Sequence, residues 1–204
     1  ITNIKNKLKN AQLIVVTKHQ NLDYIKKVYQ LGERDFGENK VQDLINKRKE
    51  LPSDIRWHMI GHLQTNKVKL ITPFIHMIQS VDSIKLLKTI NKYAIEYNRQ
   101  INCLIQIKIA EENSKYGLSI DAALKLFNSN YLTEYPNINI CGIMAMATFT
   151  NNQEQIAKEF QSLINIQNHI SYKHPILSIG MSGDYEIAVK CGSNMVRLGS
   201  AIFQ

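Results

Sequence analysis

Two stretches of this chain carry residue types that could do chemistry. The first is Lys18, which directly follows the run LIVVT at 13–17. A lysine at the mouth of a strand that otherwise belongs to the core is expected to be partly desolvated. Desolvation disfavours the ammonium and lowers its pKa, and a neutral amine can attack a carbonyl to form a Schiff base. The plainer alternative is a lysine whose head reaches solvent at a strand end. The second stretch is SIGMSGD at 178–184, a strand end followed by two glycines and a helix start, with Ser182 expected at or near the N-cap. Free backbone N–H groups and the helix dipole there favour an anion, although an ordinary capped turn would read the same way. Arg197-Leu198-Gly199-Ser200 forms a possible second half of such a site.

These residues need a scaffold that brings distant segments together. Apolar runs alternate with amphipathic stretches along the whole chain. Strands are expected at Leu13–Thr17, Arg34–Gly37, Trp57–Gly61, Ile75–Val81, Ile101–Ile109, Ile138–Ala147, Ile176–Ile179 and Met195–Ile202. Helices are expected between them: to Gly32, over Glu38–Leu51, over Gln64–Ile71, after an Asp82 N-cap, from a Ser119 cap to about Ser129, over Asn151–Ile170 and over Ser182–Lys190. Eight such strands imply parallel pairing with right-handed crossovers. The pattern matches a single (β/α)8 TIM-type barrel over 1–204 with a leading helix at about 1–10. A doubly wound open sheet is the runner-up, but no GxGxxG follows the first strand. In a barrel, active residues gather at the C-terminal ends of the strands, and phosphate sites are often built from the loops after strands 7 and 8. Ser182 and the Gly199-Ser200 pair fall in those two loops, and Lys18 ends strand 1.

Composition narrows the classes. With 204 residues, 44% hydrophobic and 21% charged, the chain has ordinary globular composition. It has no run of about 18 apolar residues, so no membrane helix is expected. The net charge of +8 raises nucleic acid as a partner. However, the excess is carried by 20 Lys against 5 Arg in an Asn- and Ile-rich chain. That reads as background bias, and Lys5, Lys7 and Lys9 read as a solvated helix face. Nucleic-acid binding is therefore not expected. Cys103, Cys141 and Cys191 are odd in number and widely spaced. They form no metal-ligand pattern and suit a reducing, cytoplasmic compartment. Ile1 and Gln204 read as trimmed ends.

An amine at strand 1 facing a phosphate cradle suggests pyridoxal phosphate, with Arg197 placed to face the ring nitrogen. A permanent cation there would keep that nitrogen unprotonated and weaken the electron sink. The residues carry a resemblance that reaches further. VVTK at 15–18, FGENKVQ at 36–42, WHMIGHLQTNK at 57–67, SKYG at 114–117, SIGMSGDYEIAV at 178–189 and VRLGSAIF at 196–203 resemble, in order and over nearly the whole chain, the pyridoxal phosphate homeostasis protein family. The family is similar to the N-terminal barrel of alanine racemase, a fold-type III pyridoxal phosphate fold.

The resemblance implies a protein that binds pyridoxal phosphate and controls its supply, without established turnover. By motif, it implies Lys18 as the Schiff-base residue and Asn39 beside the cofactor. It further implies Ser182, Gly199 and Ser200 on the phosphate, and Arg197 at the ring nitrogen. The racemase's C-terminal β domain, with its catalytic tyrosine, has no counterpart in these residues, so the expectation is a monomeric non-enzyme that hands cofactor to apo-enzymes. An amino-acid racemase is the alternative. Thr17 and Ser200 stand where the family usually has Ser and Thr, keeping the hydroxyl in both places.

Overall fold

The structure, a computed structural model, describes residues 1–112 and 115–203. Ser114, the first residue of the SKYG motif, and Gln204 lie outside the described residues. Eight strands close into one parallel barrel in chain order: β1 (Gln12–Val16), β2 (Asp35–Glu38), β3 (Arg56–Met59), β4 (Met77–Val81), β5 (Ile101–Lys108), β6 (Ile138–Met146), β7 (Ile176–Ser178) and β8 (Met195–Leu198). Closure comes from β1 on β8, with Gln12 opposite Met195 and Val15 opposite Leu198. The barrel expectation holds, and the open sheet is excluded.

The helices lie between the strands: α1 (Thr2–Leu8), α2 (Leu22–Gln30), α3 (Val41–Glu50), α4 (Val68–Ile71), α5 (Ile84–Glu96), α6 (Ile120–Phe127), α7 (Tyr131–Glu134), α8 (Gln153–Gln161), α9 (Ile164–Gln167), α10 (Tyr185–Lys190) and α11 (Ser200–Phe203). Side-chain caps fix four starts. Asn21, Ser83, Ser119 and Asn152 accept from the backbone N–H of Tyr24, Leu86, Ala122 and Gln155, which satisfies donors that a helix start leaves orphaned.

Two cores result. Between strands and helices lies a continuous apolar jacket that includes Val15, Leu44, Ile78, Ile105 and Phe160. Inside the barrel, a smaller cluster of Ile14, Met77, Leu104, Cys141, Met144 and Met195 shares the lumen with buried polar residues, His58, Gln79, Ser178 and Arg197 among them.

Several boundaries differ from the sequence expectation, each for a local reason. The helix expected from Glu38 begins at Val41, because Glu38 closes β2 as a fully buried residue. The Gln64–Ile71 helix is a short 3-10 turn at Thr65–Lys67 leading into α4. Ser83 caps α5 in place of Asp82, which instead binds His62 Nδ1 at 2.6 Å. The helix expected over Asn151–Ile170 divides into α8 and α9. There the Ser162 hydroxyl donates to the Glu159 carbonyl at 2.7 Å and the Leu163 N–H tightens onto Phe160, a serine competing for a helix carbonyl. The last strand stops at Leu198, and residues expected to extend it form α11. The helix expected from Ser182 starts at Tyr185.

Candidate functional site

The C-terminal ends of β7, β8, β1 and β2 are neighbours around one mouth of the barrel. They bring the expected residues to one place. Lys18 sits in the turn just beyond β1 and is exposed. The expected desolvation is therefore corrected: β1 ends at Val16, two residues earlier than a buried Lys18 would require. Its amine makes no hydrogen bond or ion pair with any described residue, so it stands available at the rim.

The turn carrying Lys18 is clamped from beneath. Thr17 is fully buried, and its hydroxyl donates to Glu38 Oε1 at 2.5 Å. Lys47 of α3 donates to the same oxygen at 2.5 Å and to the Thr17 carbonyl at 2.6 Å. The backbone N–H of Thr17 donates to Gly37. Glu38 and Lys47 were not expected as site residues. The signal that could have found them is Glu38 itself, an acidic residue in an otherwise core strand end. Asn39 follows it, half-buried at the end of β2. Its backbone is closely overlaid by Gly61, where an added Cβ would meet the Asn39 carbonyl at 2.3 Å. Only glycine fits there.

On the other side of the mouth, Ser182 takes a role different from the expected one. It is two residues outside the N-cap of α10, a position that Asp184 occupies. Asp184 accepts from the Met181 N–H at 2.6 Å and so ties the loop. The Ser182 hydroxyl reaches across to the next loop and accepts from Gly199 at 3.3 Å and Ala201 at 3.2 Å, capping α11 from a neighbouring segment. This places Ser182, Gly199 and Ser200 together. The backbone N–H groups of Ser182, Gly183 and Ser200 donate to no described group. Open space surrounds the α-carbon of Gly183 where a side chain would be, and Gly199 lies so near β1 that a Cβ would be 3.2 Å from the Val16 carbonyl. The result is a set of unspent donors on a backbone that a ligand can approach closely.

Arg197 is only 4% exposed. Its two terminal nitrogens are spent: Nη1 on the Ser178 carbonyl and hydroxyl, both at 2.7 Å, and Nη2 on the Ala145 carbonyl at 3.0 Å. Nε has no partner among the described residues. Burial lowers its pKa to about 10, opposed by the nearby Asp184 charge, so it remains a cation at neutral pH. Asp184 moves the opposite way, pushed up by its own burial against the Met181 hydrogen bond and Arg197. Chemically, the mouth offers an unpaired primary amine, a buried guanidinium and a cluster of backbone donors. That set suits an anionic carbonyl compound.

The family model "Alanine racemase, N-terminal domain" matches residues 1–204. The pyridoxal phosphate homeostasis protein of Aquifex aeolicus is 32% identical over 198 residues, 95% of this chain and 86% of that protein. Among solved structures, PipY of Synechococcus elongatus is 28% identical and covers 100% of this chain and 97% of its own. It superposes with a TM-score of 0.91 without PLP and 0.88 with PLP bound. Alanine racemase from Bartonella henselae, with covalently bound pyridoxal phosphate, shares the fold at a TM-score of 0.79 with 14% identity, over 99% of this chain and 56% of its own.

Proposed function

This chain belongs to the alanine racemase N-terminal domain family and, within it, to the pyridoxal phosphate homeostasis proteins, and from that premise we propose how its own residues hold pyridoxal phosphate. The cofactor's phosphate, aldehyde and pyridine ring match the three unlike groups around the mouth. Bound, it would supply a carbonyl that forms a covalent bond with an amine. Lys18 supports that role because its amine is accessible and, among the described residues, unpaired, on a turn held by the pair of buried Glu38 and half-buried Lys47. The backbone donors of Ser182, Gly183 and Ser200 would take the phosphate, with Gly199 allowing the close approach. Arg197 would present a fixed cation to the ring nitrogen. A guanidinium that cannot give up its proton keeps that nitrogen from being protonated. Asn39 would flank the ring from the end of β2.

The single observation that carries this reading is the convergence of Lys18, Arg197 and the unspent Ser182–Ser200 backbone donors on one barrel mouth. In this reading the protein is a non-catalytic carrier, acting as a cytoplasmic monomer that supplies apo-enzymes from one single-domain barrel over 1–204. The homeostasis name of its relatives supports the carrier role, and the weakened electron sink implied by Arg197 agrees. No helix among the described residues is long and apolar enough to cross a membrane. Titrating the protein with pyridoxal phosphate, followed by visible absorbance and then by alanine racemisation, tests the reading. Saturable absorbance without racemisation is expected. Racemisation at enzyme-like rates, abolished in Lys18→Ala, would establish the racemase alternative instead.

A further inference from the structure

Hydrogen bonds run unbroken through the barrel lumen, from the cofactor mouth to the opposite one. Arg197 Nη1 donates to Ser178 Oγ at 2.7 Å. Ser178 Oγ donates to Gln79 Oε1 at 2.7 Å. Gln79 Nε2 lies 3.1 Å from His58 Nδ1, and His58 Nε2 lies 3.1 Å from Asp35 Oδ1. Arg56 then closes the far end, donating to both Asp35 oxygens at 2.7 and 2.6 Å. His58, Gln79 and Ser178 are fully buried.

Arg197 fixes the direction of every bond. A guanidinium has no acceptor, so Ser178 Oγ must accept from it and turn its own proton towards Gln79. The Gln79 amide therefore presents its oxygen to Ser178 and its nitrogen to His58. The second amide N–H is also placed, on Met195 Sδ at 3.3 Å. His58 Nδ1 must then be a lone pair, and Nε2 must carry the proton directed at Asp35. The reversed amide would need His58 to donate from both nitrogens, as an imidazolium, and would strand the Ser178 proton. A metal is not the better reading of Asp35, His58 and His76, whose ligand atoms lie within 4.8 Å of one another. Arg56 occupies both Asp35 oxygens, and both His58 nitrogens are already engaged.

We propose that His58 and Gln79 are positioning residues for Arg197, holding its guanidinium in one orientation through Ser178 and so setting the electrostatics felt by the cofactor ring. This rests on the reading of Arg197 as the ring-facing residue of a pyridoxal phosphate site. A buried chain of this kind is directional, and each member is costly to leave unpaired. Removing Gln79 takes away the acceptor that fixes the Ser178 hydroxyl, so Ser178 is free to rotate and the two carbonyls are the only fixed acceptors left to Arg197.

Histidine-selective 15N NMR of the cofactor-free wild-type chain tests the proton placement. His58, assigned by its loss in His58→Gln, is expected as the neutral Nε2–H tautomer. An imidazolium or Nδ1–H form overturns the proposal. With pyridoxal phosphate added, Gln79→Leu is expected to shift the visible absorbance maximum and to weaken binding about tenfold. Gln79→Glu keeps the acceptor for Ser178 but has no N–H for the His58 Nδ1 lone pair, so it should return both towards wild type only as the pH is lowered and an added proton bridges the new carboxyl and His58. The control is Asn91→Leu, which removes a buried acceptor of the Asn137 N–H outside this chain of bonds. It should lower thermal stability while leaving the spectrum alone. Unchanged spectrum and affinity in Gln79→Leu would overturn the proposal. Failure of the wild type to take up cofactor would overturn the site reading instead, leaving the NMR result standing.

Discussion

The two faces of the same eight strands are built from different chemistry. Outward-facing residues such as Val15, Ile78 and Ile105 meet the helices in an apolar jacket. Inward-facing residues meet one another across the lumen, and there polar groups stand beside Ile14 and Leu104. The jacket is held by area removed from water, which is non-directional. The lumen is held by hydrogen bonds that leave each group one arrangement. The contrast assigns stability chiefly to the outside and ring recognition to the inside, where Arg197 lies; the Thr17–Glu38–Lys47 clamp is the polar exception on the outer face, where β1 and β2 meet α3 at the mouth.

Substitutions on each side should separate the two properties. The largest stability effect is expected in the jacket. Phe160 is fully buried, so Phe160→Ala should cost about 3–5 kcal/mol in denaturant unfolding, with the absorbance of the cofactor-loaded protein unchanged. A stable variant with an altered spectrum would break the division. Glu38→Gln comes next. It leaves Lys47 without its carboxylate beneath the Lys18 turn and should cost about 2 kcal/mol. Unlike the jacket variant, it should also weaken cofactor binding. Gly199→Ala should cost about 1 kcal/mol, because its Cβ must press on the Val16 carbonyl, yet it should markedly weaken binding measured by titration.

The effect confined to acid pH concerns the far mouth. Burial pushes the Asp35 carboxyl up, but Arg56 first and His58 second more than offset it and hold it well below the usual carboxylate range. The unfolded carboxyl titrates near ~3.9. Its contribution is therefore present above about pH 4 and is lost as pH falls below that value. Melting temperature should drop on acidification through this window, less steeply in Asp35→Asn.

The same contrast explains what the sequence made legible. The jacket writes a periodic signal: runs such as LIVV at 13–16 and Ile101–Lys108 mark strands, and Leu87, Ile90 and Ala94 mark the buried face of α5. The mouth was legible in its ends, because Lys18, Ser182 and Gly199 interrupt that pattern at strand termini. The supporting contacts were not. Ser178 and Gln79 are 99 residues apart, and Arg197 reaches Ala145 across 52. Such pairs exist only once the barrel closes in register, and no local spacing encodes them. Ser182 shows the same limit, since its capping partner belongs to another loop. The exposure of Lys18 turned on where β1 ends: the strand stops at Val16 with the apolar run, one residue before the expected end at Thr17.

The most direct test of the account is to load the protein with pyridoxal phosphate, reduce it with borohydride, and map the modified peptide by mass spectrometry. Modification is expected at Lys18, lost in Lys18→Ala without a change in melting temperature. Modification at another lysine in the wild type, with Lys18 unlabelled, would contradict it.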